Sequence, residues 1–224
     1  MSIYALSDLH LSFGVKDKPM NIFGERWNNY EQKLKENWNK KVKEEDTVII
    51  AGDLSWAMYL EESLEDFKFL NELNGNKIIL KGNHDYWWTT LTKMNKYLEE
   101  NNIENVKFLY NNCYEIDDFM ICGTRYWSYD EETEDNAKVF NREIERAKIS
   151  LESAKKQNED KKIIFVTHYP PTEGIIECVK KYNVKYWIYG HIHSNYEDNL
   201  VQIDGIESFL TSGDYLNFEL LKID

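Results

Sequence analysis

The sequence predicts a mixed α/β domain built on two β-sheets. Short apolar runs rich in β-formers alternate with longer amphipathic segments, a pattern typical of strands joined by helices. Residues 106–127 and 200–223 break this alternation and instead indicate consecutive strands joined by turns, which predicts a second sheet. The chain has 224 residues, a length that one hydrophobic core can serve, so we expect a single domain over residues 1–224.

Five apolar runs are the predicted central strands. Their nearly continuous hydrophobicity is typical of strands that are buried on both faces. They cover residues 3–6, 48–51, 78–80, 163–166 and 186–189.

Four longer segments have the spacing of amphipathic helices, at about residues 28–43, 60–73, 88–101 and 135–157. Residues 106–127 predict a strand, a turn and one or two further strands. Residues 200–223 predict two or three strands, with turns at Asp204-Gly205 and Ser212-Gly213.

The composition excludes several classes of function. A formal net charge of −13 repels polyanions, so a nucleic-acid polymer is not an expected partner. The three cysteines show no CxxC spacing, which argues against a thiolate zinc site or a disulfide framework. No run approaches the ~18 apolar residues of a membrane span, so we expect no membrane association and a cytoplasmic location. The sequence carries no signal for an oligomeric state.

Polar side chains that bind metals or move protons follow each of the five apolar runs. Because the carboxyl ends of parallel strands meet at one edge of a sheet, these groups converge if the strands are parallel. A single histidine is more often a surface or core residue, but here all five histidines occupy such positions. The set is Asp8, His10, Asp53, Asn83, His84, Asp85, His168, His191 and His193.

The residue types and spacings indicate a divalent metal site. Side chains two residues apart, such as those of Asp8 and His10, point to one side in extended backbone. Gly52, Gly82 and Gly190 precede ligand residues and permit a close approach of the backbone. Imidazole, carboxylate and amide oxygen ligands suit Mn, Fe, Co or Zn rather than copper. Two such ions close together would clamp a phosphoryl group.

Together these motifs resemble the signature of the calcineurin-like metallophosphoesterase superfamily. They match it in order and approximate spacing, and they span residues 8 to 193. The resemblance implies a four-layer αββα sandwich of two mixed sheets flanked by helices, with two divalent transition-metal ions (Mn, Fe or Zn). The matching segments are Asp8-Leu-His10, Gly52-Asp53, Gly82-Asn83-His84-Asp85, His168 and Gly190-His191-Ile-His193.

The resemblance also implies residue roles. One ion would be held by Asp8, His10 and His193, the other by Asn83, His168 and His191, with Asp53 bridging them. His84 would act at the leaving-group oxygen as a general acid or stabilising cation, with Asp85 orienting and charging its ring. A metal-bound hydroxide would then hydrolyse a phosphomonoester or phosphodiester of a small substrate.

The sequence departs from two well-known branches of the superfamily. Protein Ser/Thr phosphatases have an arginine soon after the Gly-Asp motif, whereas this chain continues Leu54-Ser55-Trp56. Trp56 also stands where purple acid phosphatases have a metal-binding tyrosine. The chain is more similar to small bacterial-type phosphohydrolases.

The substrate-binding residues are less defined by the sequence. Arg125 follows a predicted strand and is a candidate phosphate clamp, although it could equally be structural. Trp56 and Trp87 are candidates for a pocket that accepts a planar group, with core packing as the alternative. A non-catalytic protein-interaction scaffold on the same fold is the alternative function, and the presence of His84 with the full ligand set argues against it.

Overall fold

The computed structural model describes residues 1–127 and 134–224 as two five-stranded sheets flanked by helices. The strands are β1 (Ile3–Leu6), β2 (Thr47–Ile50), β3 (Asn76–Leu80), β4 (Val106–Leu109), β5 (Cys113–Ile116), β6 (Phe119–Thr124), β7 (Lys162–Thr167), β8 (Val184–Tyr189), β9 (Glu207–Leu210) and β10 (Leu221–Lys222). The helices are α1 (Tyr30–Lys41), α2 (Leu64–Glu72), α3 (Leu91–Glu100), α4 (Glu134–Gln157) and α5 (Glu173–Val179).

Both sheets are mixed. The first has the order β10-β1-β2-β3-β4, with β1 to β4 parallel and β10 antiparallel to β1. The second has the order β5-β6-β7-β8-β9, with β6 to β9 parallel and β5 antiparallel to β6. Each sheet therefore presents a row of parallel strands whose carboxyl ends lie at one edge.

Side chains alternate between the two faces of each strand, and together they form three hydrophobic cores. These cores lie between four layers, which are helices, sheet, sheet and helices. In β2, Val48 and Ile50 pack with the buried faces of α1, α2 and α3, whereas Ile49 packs with residues of the second sheet. In β7, Phe165 packs with α4 and α5, whereas Ile164 packs with residues of the first sheet. Since side chains alternate between the two faces of a strand, each sheet has one helical neighbour and one sheet neighbour.

The predicted fold class is confirmed, with two differences in detail. The five central strands are divided between the sheets, with β1, β2 and β3 in one and β7 and β8 in the other. The sequence prediction also missed α5, whose seven residues are too short for a clear helical periodicity. Among the described residues no helix has the length and apolar content needed to cross a membrane.

The carboxyl edges of the two sheets meet at Ser7. Its backbone N–H donates to Thr211 O at 2.8 Å, and its carbonyl accepts from Gly213 N–H at 2.9 Å. These bonds connect the end of β1 in the first sheet with the end of β9 in the second. The loops that follow strands of both sheets therefore converge on one region of the surface.

Candidate metal centre

The seven predicted metal ligands lie in the loops after five strands, and their contacts connect them into one cluster. Asp8 and His10 follow β1, Asp53 follows β2, Asn83 follows β3, His168 follows β7, and His191 and His193 follow β8. Asp8, His10, Asp53 and His168 are buried, whereas the side chain of His193 is partly open to solvent.

Asp8, His10 and His193 form the first ligand group. One possible ligand atom from each lies within 4.8 Å of the others. The Nε2 atoms of His10 and His193 are 3.3 Å apart, and His193 Nε2 is 3.6 Å from Asp8 Oδ1. Two ring nitrogens and a carboxylate oxygen that converge in this way can share one divalent ion.

Asn83, His168 and His191 form the second group. The Oδ1 atom of Asn83 lies 2.6 Å from His168 Nε2 and 2.9 Å from His191 Nδ1. His168 Nδ1 donates to the carbonyl oxygen of Ala51 at 2.9 Å, because that oxygen can only accept. A neutral His168 ring therefore turns the lone pair of Nε2 toward the Asn83 oxygen. Two facing acceptors are unfavourable without a cation, and a metal ion supplies one.

Asp53 lies between the two groups. Its Oδ2 atom is 3.8 Å from His10 Nε2 and 3.5 Å from His168 Nε2. This oxygen is buried and has no hydrogen-bond partner among the described residues. An unpaired buried carboxylate oxygen is costly. Its position within reach of both groups fits a ligand that bridges two divalent ions, so the residues present fit a dinuclear centre.

The backbone of the cluster is strained where the ligands sit. Asp8, His10, Asp53 and His191 have φ values of 55°, 45°, 53° and 73°, in the left-handed region that side chains rarely adopt. Such strain concentrates at functional sites and requires support from the surroundings. That support includes hydrogen bonds from Asp8 N–H to Gly52 O at 2.9 Å and from His10 N–H to Asp53 O at 3.0 Å.

Gly82 allows two of the loops to approach each other. A Cβ atom at this position would overlap Asp53, both at its carboxylate and at its backbone nitrogen. The close approach that the sequence predicted for Gly82 is therefore an approach to Asp53, and it requires a residue without a Cβ atom.

Burial and neighbouring charges shift the pKa values of three of the proposed ligands. Burial lowers the pKa of His10 to about 3 and that of His168 to about 4, so both rings are neutral at neutral pH. Burial acts to raise the pKa of Asp8, but the hydrogen bond and charge of His193 outweigh it, and the pKa lies well below its usual range. Neutral imidazole and ionised carboxylate are the forms that bind metals.

Asp214 is a site residue that the sequence prediction missed. Its Oδ1 atom lies 2.9 Å from His193 Nδ1, and its Oδ2 atom accepts from the hydroxyl of Tyr196 at 2.7 Å. Burial opposes protonation of His193, but hydrogen bonds to Asp214 and Asp8 raise its pKa to about 10, so a metal ion in this group would displace a proton from the ring. Gly213-Asp214 follows β9 as Gly52-Asp53 follows β2, so the signal was present but was assigned to a turn.

Replacing Asp214 by asparagine is expected to weaken metal binding about 10- to 100-fold, because the carboxylate fixes the orientation and basicity of the His193 ring. Manganese titration of the wild-type chain and of Asp214→Asn measures this. Asp198→Asn, an exposed acid that lies near the same surface, is the matched control and should bind manganese like the wild type. Equal affinities for wild type and Asp214→Asn would contradict this role.

A pocket of about 360 Å³ adjoins the first ligand group. His84 lines it beside Trp56, with ring centroids 4.6 Å apart, and Trp56 stacks on His10 at 4.9 Å. The N–H of His84 donates to Asp53 Oδ1 at 2.8 Å, whereas its buried Nδ1 has no partner within the described part of the chain. Burial lowers the pKa of His84. His84 is therefore next to the cluster without being part of either ligand group.

Asp85 makes different contacts from those predicted. Both of its oxygens accept from backbone N–H groups, those of Gly82, Asp53 and Leu54, at 2.7 to 2.9 Å, and Oδ1 also accepts from Trp87 Nε1 at 3.1 Å. It makes no hydrogen bond to the ring of His84. Asp85 instead joins the loops that follow β2 and β3, and thereby supports Asp53 and Asn83.

The two remaining predicted pocket residues differ from Trp56. Trp87 is 2% exposed and packs against Phe67 and Phe108 in the first core, so it does not line the pocket. Arg125 lies over the ring of Trp127, with the guanidinium carbon 4.3 Å from the ring centroid. It lines a separate cavity, and its carbonyl oxygen accepts the N–H of His168, a residue of the second ligand group, at 3.2 Å.

Comparison with known proteins identifies a family and a shared fold. Residues 1–195 match the family model of the calcineurin-like phosphoesterases, and a search of curated proteins found no match. Among solved structures, the protein of unknown function AQ665 from Aquifex aeolicus is 22% identical, with a TM-score of 0.57 over 99% of this chain and 95% of that chain. Phosphopantetheinyl hydrolase from Mycobacterium tuberculosis is 14% identical, with a TM-score of 0.51 over 99% and 95%. The protein TT1561 from Thermus thermophilus is 13% identical, with a TM-score of 0.57 over 98% and 96%. These structural likenesses show the fold.

Proposed function

The chain belongs to the calcineurin-like phosphoesterase family, and we propose on this basis that it hydrolyses a phosphomonoester or phosphodiester bond of a small substrate. Asp8, His10 and His193 would hold one divalent transition-metal ion, and Asn83, His168 and His191 the other. When bound, two such ions neutralise phosphoryl charge and make water a nucleophile at neutral pH.

The observation that carries this proposal is the unpaired, buried Oδ2 atom of Asp53 between two groups of ligand atoms. Its other oxygen accepts the N–H of His84, so the backbone of His84 is tied to the residue that would bridge the ions. The His84 ring lies in the adjoining pocket, where it can protonate or stabilise a departing oxygen. Trp56 would form the wall beside that leaving group.

The acidity of the chain supports a small substrate. With a net charge of −13, the protein repels an extended polyanion, whereas two divalent ions attract a single phosphoryl group locally.

A non-catalytic scaffold on the same fold is the alternative. Four ligand residues at positive φ and an unpaired buried oxygen lower the stability of the fold. A scaffold that binds no metal would gain nothing from this arrangement, so it argues against the alternative. One of the proteins that share the fold is named a hydrolase, which also supports catalysis.

Hydrolysis of p-nitrophenyl phosphate and bis(p-nitrophenyl) phosphate by the manganese-loaded chain tests the proposal and separates monoesterase from diesterase activity. Asp53→Asn, purified in the same way, measures any contaminating phosphatase. Hydrolysis of at least one probe that Asp53→Asn lacks supports the proposal. No hydrolysis of either probe by a chain that contains manganese would favour the scaffold.

A further inference from the structure

A cavity of about 500 Å³ between β3, β6 and α4 is lined by four basic side chains, those of Lys81, Arg125, Arg142 and Arg146. Lys81 and Arg125 follow β3 and β6, and the other two lie on α4. The chain has a net charge of −13, and three of its few arginines surround this one cavity. Positive charge is therefore concentrated here against the overall charge of the protein.

Among the described residues, few carboxylates neutralise this charge. Glu143 is buried and pairs with Arg146 at 2.6 Å and with Arg142 at 3.8 Å. The second carboxylate oxygen of Glu143 accepts the N–H of Tyr126 at 3.2 Å, so little of its capacity to accept hydrogen bonds remains for the other cations. Within residues 1–127 and 134–224, no carboxylate forms an ion pair with Lys81 or Arg125. A cluster of cations that carboxylates neutralise only in part favours the binding of an anion.

The cavity also has buried donors without acceptors. Arg125 Nε and Trp88 Nε1 lack hydrogen-bond partners in the described part of the chain, and Trp88 is only 8% exposed. Buried N–H groups are usually paired. Thr89, Thr90 and Leu91 at the N-terminus of the ten-residue helix α3 form another wall, and that end of a helix favours anions.

Two loops that line the cavity also carry or contact residues of the second ligand group. Lys81 is two residues before Asn83, and the carbonyl oxygen of Arg125 accepts the N–H of His168 at 3.2 Å. The pocket with Trp56 lies instead beside His10 and His193. The loops of the second ligand group therefore lead to the cationic cavity, whereas two residues of the first ligand group line the aromatic pocket.

We propose that this cavity binds a second anionic group of the substrate, a phosphate-type oxyanion on the side opposite the leaving group. The planar guanidinium of Arg125 suits two-point contact with such a group, and Lys81 adds a point charge. The position of this group relative to the scissile bond rests on the proposed function, but binding of an oxyanion in the cavity does not require hydrolysis. The substrate class is then a phosphoester that carries a further phosphate.

Two probes that differ only in the second anion test the proposal kinetically. Thymidine 5′-(p-nitrophenyl phosphate) and its 3′-phosphorylated counterpart release the same leaving group. The wild-type chain is expected to prefer the 3′-phosphorylated probe about tenfold or more in kcat/KM, the effect of a charge-assisted hydrogen bond. Lys81→Gln and Arg125→Gln should lose this preference. Lys148 is an exposed lysine on the same helix as Arg142, and the control variant Lys148→Gln should retain the preference. Equal kcat/KM for the two probes in the wild-type chain overturns the proposal.

Calorimetric titration with inorganic phosphate separates the cavity from catalysis. The manganese-loaded wild-type chain should bind a second equivalent of phosphate beyond the one expected at the metals, and Arg125→Gln should bind one fewer. If neither thymidine probe nor p-nitrophenyl phosphate is hydrolysed, the proposed function fails while this titration still tests the cavity. An identical number of bound phosphates in the wild type, Lys81→Gln and Arg125→Gln would contradict the cavity site.

Discussion

Replacing Asp53 by asparagine is expected to reduce kcat/KM about 10³-fold or more and to lower the metal content of the chain. The substitution removes the charge of a carboxylate that lies within reach of both ligand groups. Loss of metal-based stabilisation costs several kcal/mol at the transition state, and each 1.36 kcal/mol is about tenfold in rate. Steady-state hydrolysis and elemental analysis of the same preparation measure the two effects.

Asp46→Asn is the matched control for this variant. Asp46 is also buried and also accepts backbone N–H groups, those of Ser2 and Lys43, but it lies at the opposite end of β2. Its replacement should leave metal content and hydrolysis at wild-type levels. A retained activity above about a tenth of wild type in Asp53→Asn would be incompatible with a bridging carboxylate.

Replacing His84 by alanine is expected to preserve both metal ions while hydrolysis falls about 10²-fold or more, in line with the loss of a general acid. The ring lies beside the ligand cluster, 5.6 Å from the ring of His10, and belongs to neither ligand group. Elemental analysis and kcat measurements on His84→Ala test both parts of this expectation.

The leaving group distinguishes acid catalysis from other roles of His84. Nitrophenolate departs readily without a proton, whereas phenolate is more basic and needs one more. The loss in His84→Ala should therefore be larger for phenyl phosphate esters than for the p-nitrophenyl esters. Unchanged turnover would refute a role for the ring in catalysis, and an equal loss for both leaving groups would refute proton donation.

The sequence predicted that these side chains converge, because each of them follows a local rule. A polar residue directly after a strand lies at the carboxyl edge of a sheet, and parallel strands bring such edges together. Asp8, Asn83 and His168 could be identified without knowing which strands are neighbours. The fold class was predictable for a similar reason. The pattern of apolar residues shows which segments form strands or helices and which faces of them are buried.

The sequence predictions failed for side chains whose partners lie in distant parts of the chain. The resemblance implies that Asp85 orients the ring of His84, but the oxygens of Asp85 accept backbone N–H groups of another loop. Trp87 is near the motif yet turns into the core, since a large apolar ring is stabilised by burial. Asp214 lay outside the known motif and was missed. Local sequence does not specify which partner a side chain meets.

We infer that this chain holds two metal ions bridged by Asp53, and metal stoichiometry tests this inference most directly. The chain is loaded with manganese, freed of excess metal by gel filtration and analysed for manganese per protein. We expect about two ions per chain, the number that a dinuclear phosphoesterase centre requires. His168→Ala, which removes one ligand of the second group, should bind about one. A wild-type chain that binds one ion or none, or a His168→Ala variant that binds as many as the wild type, would contradict it.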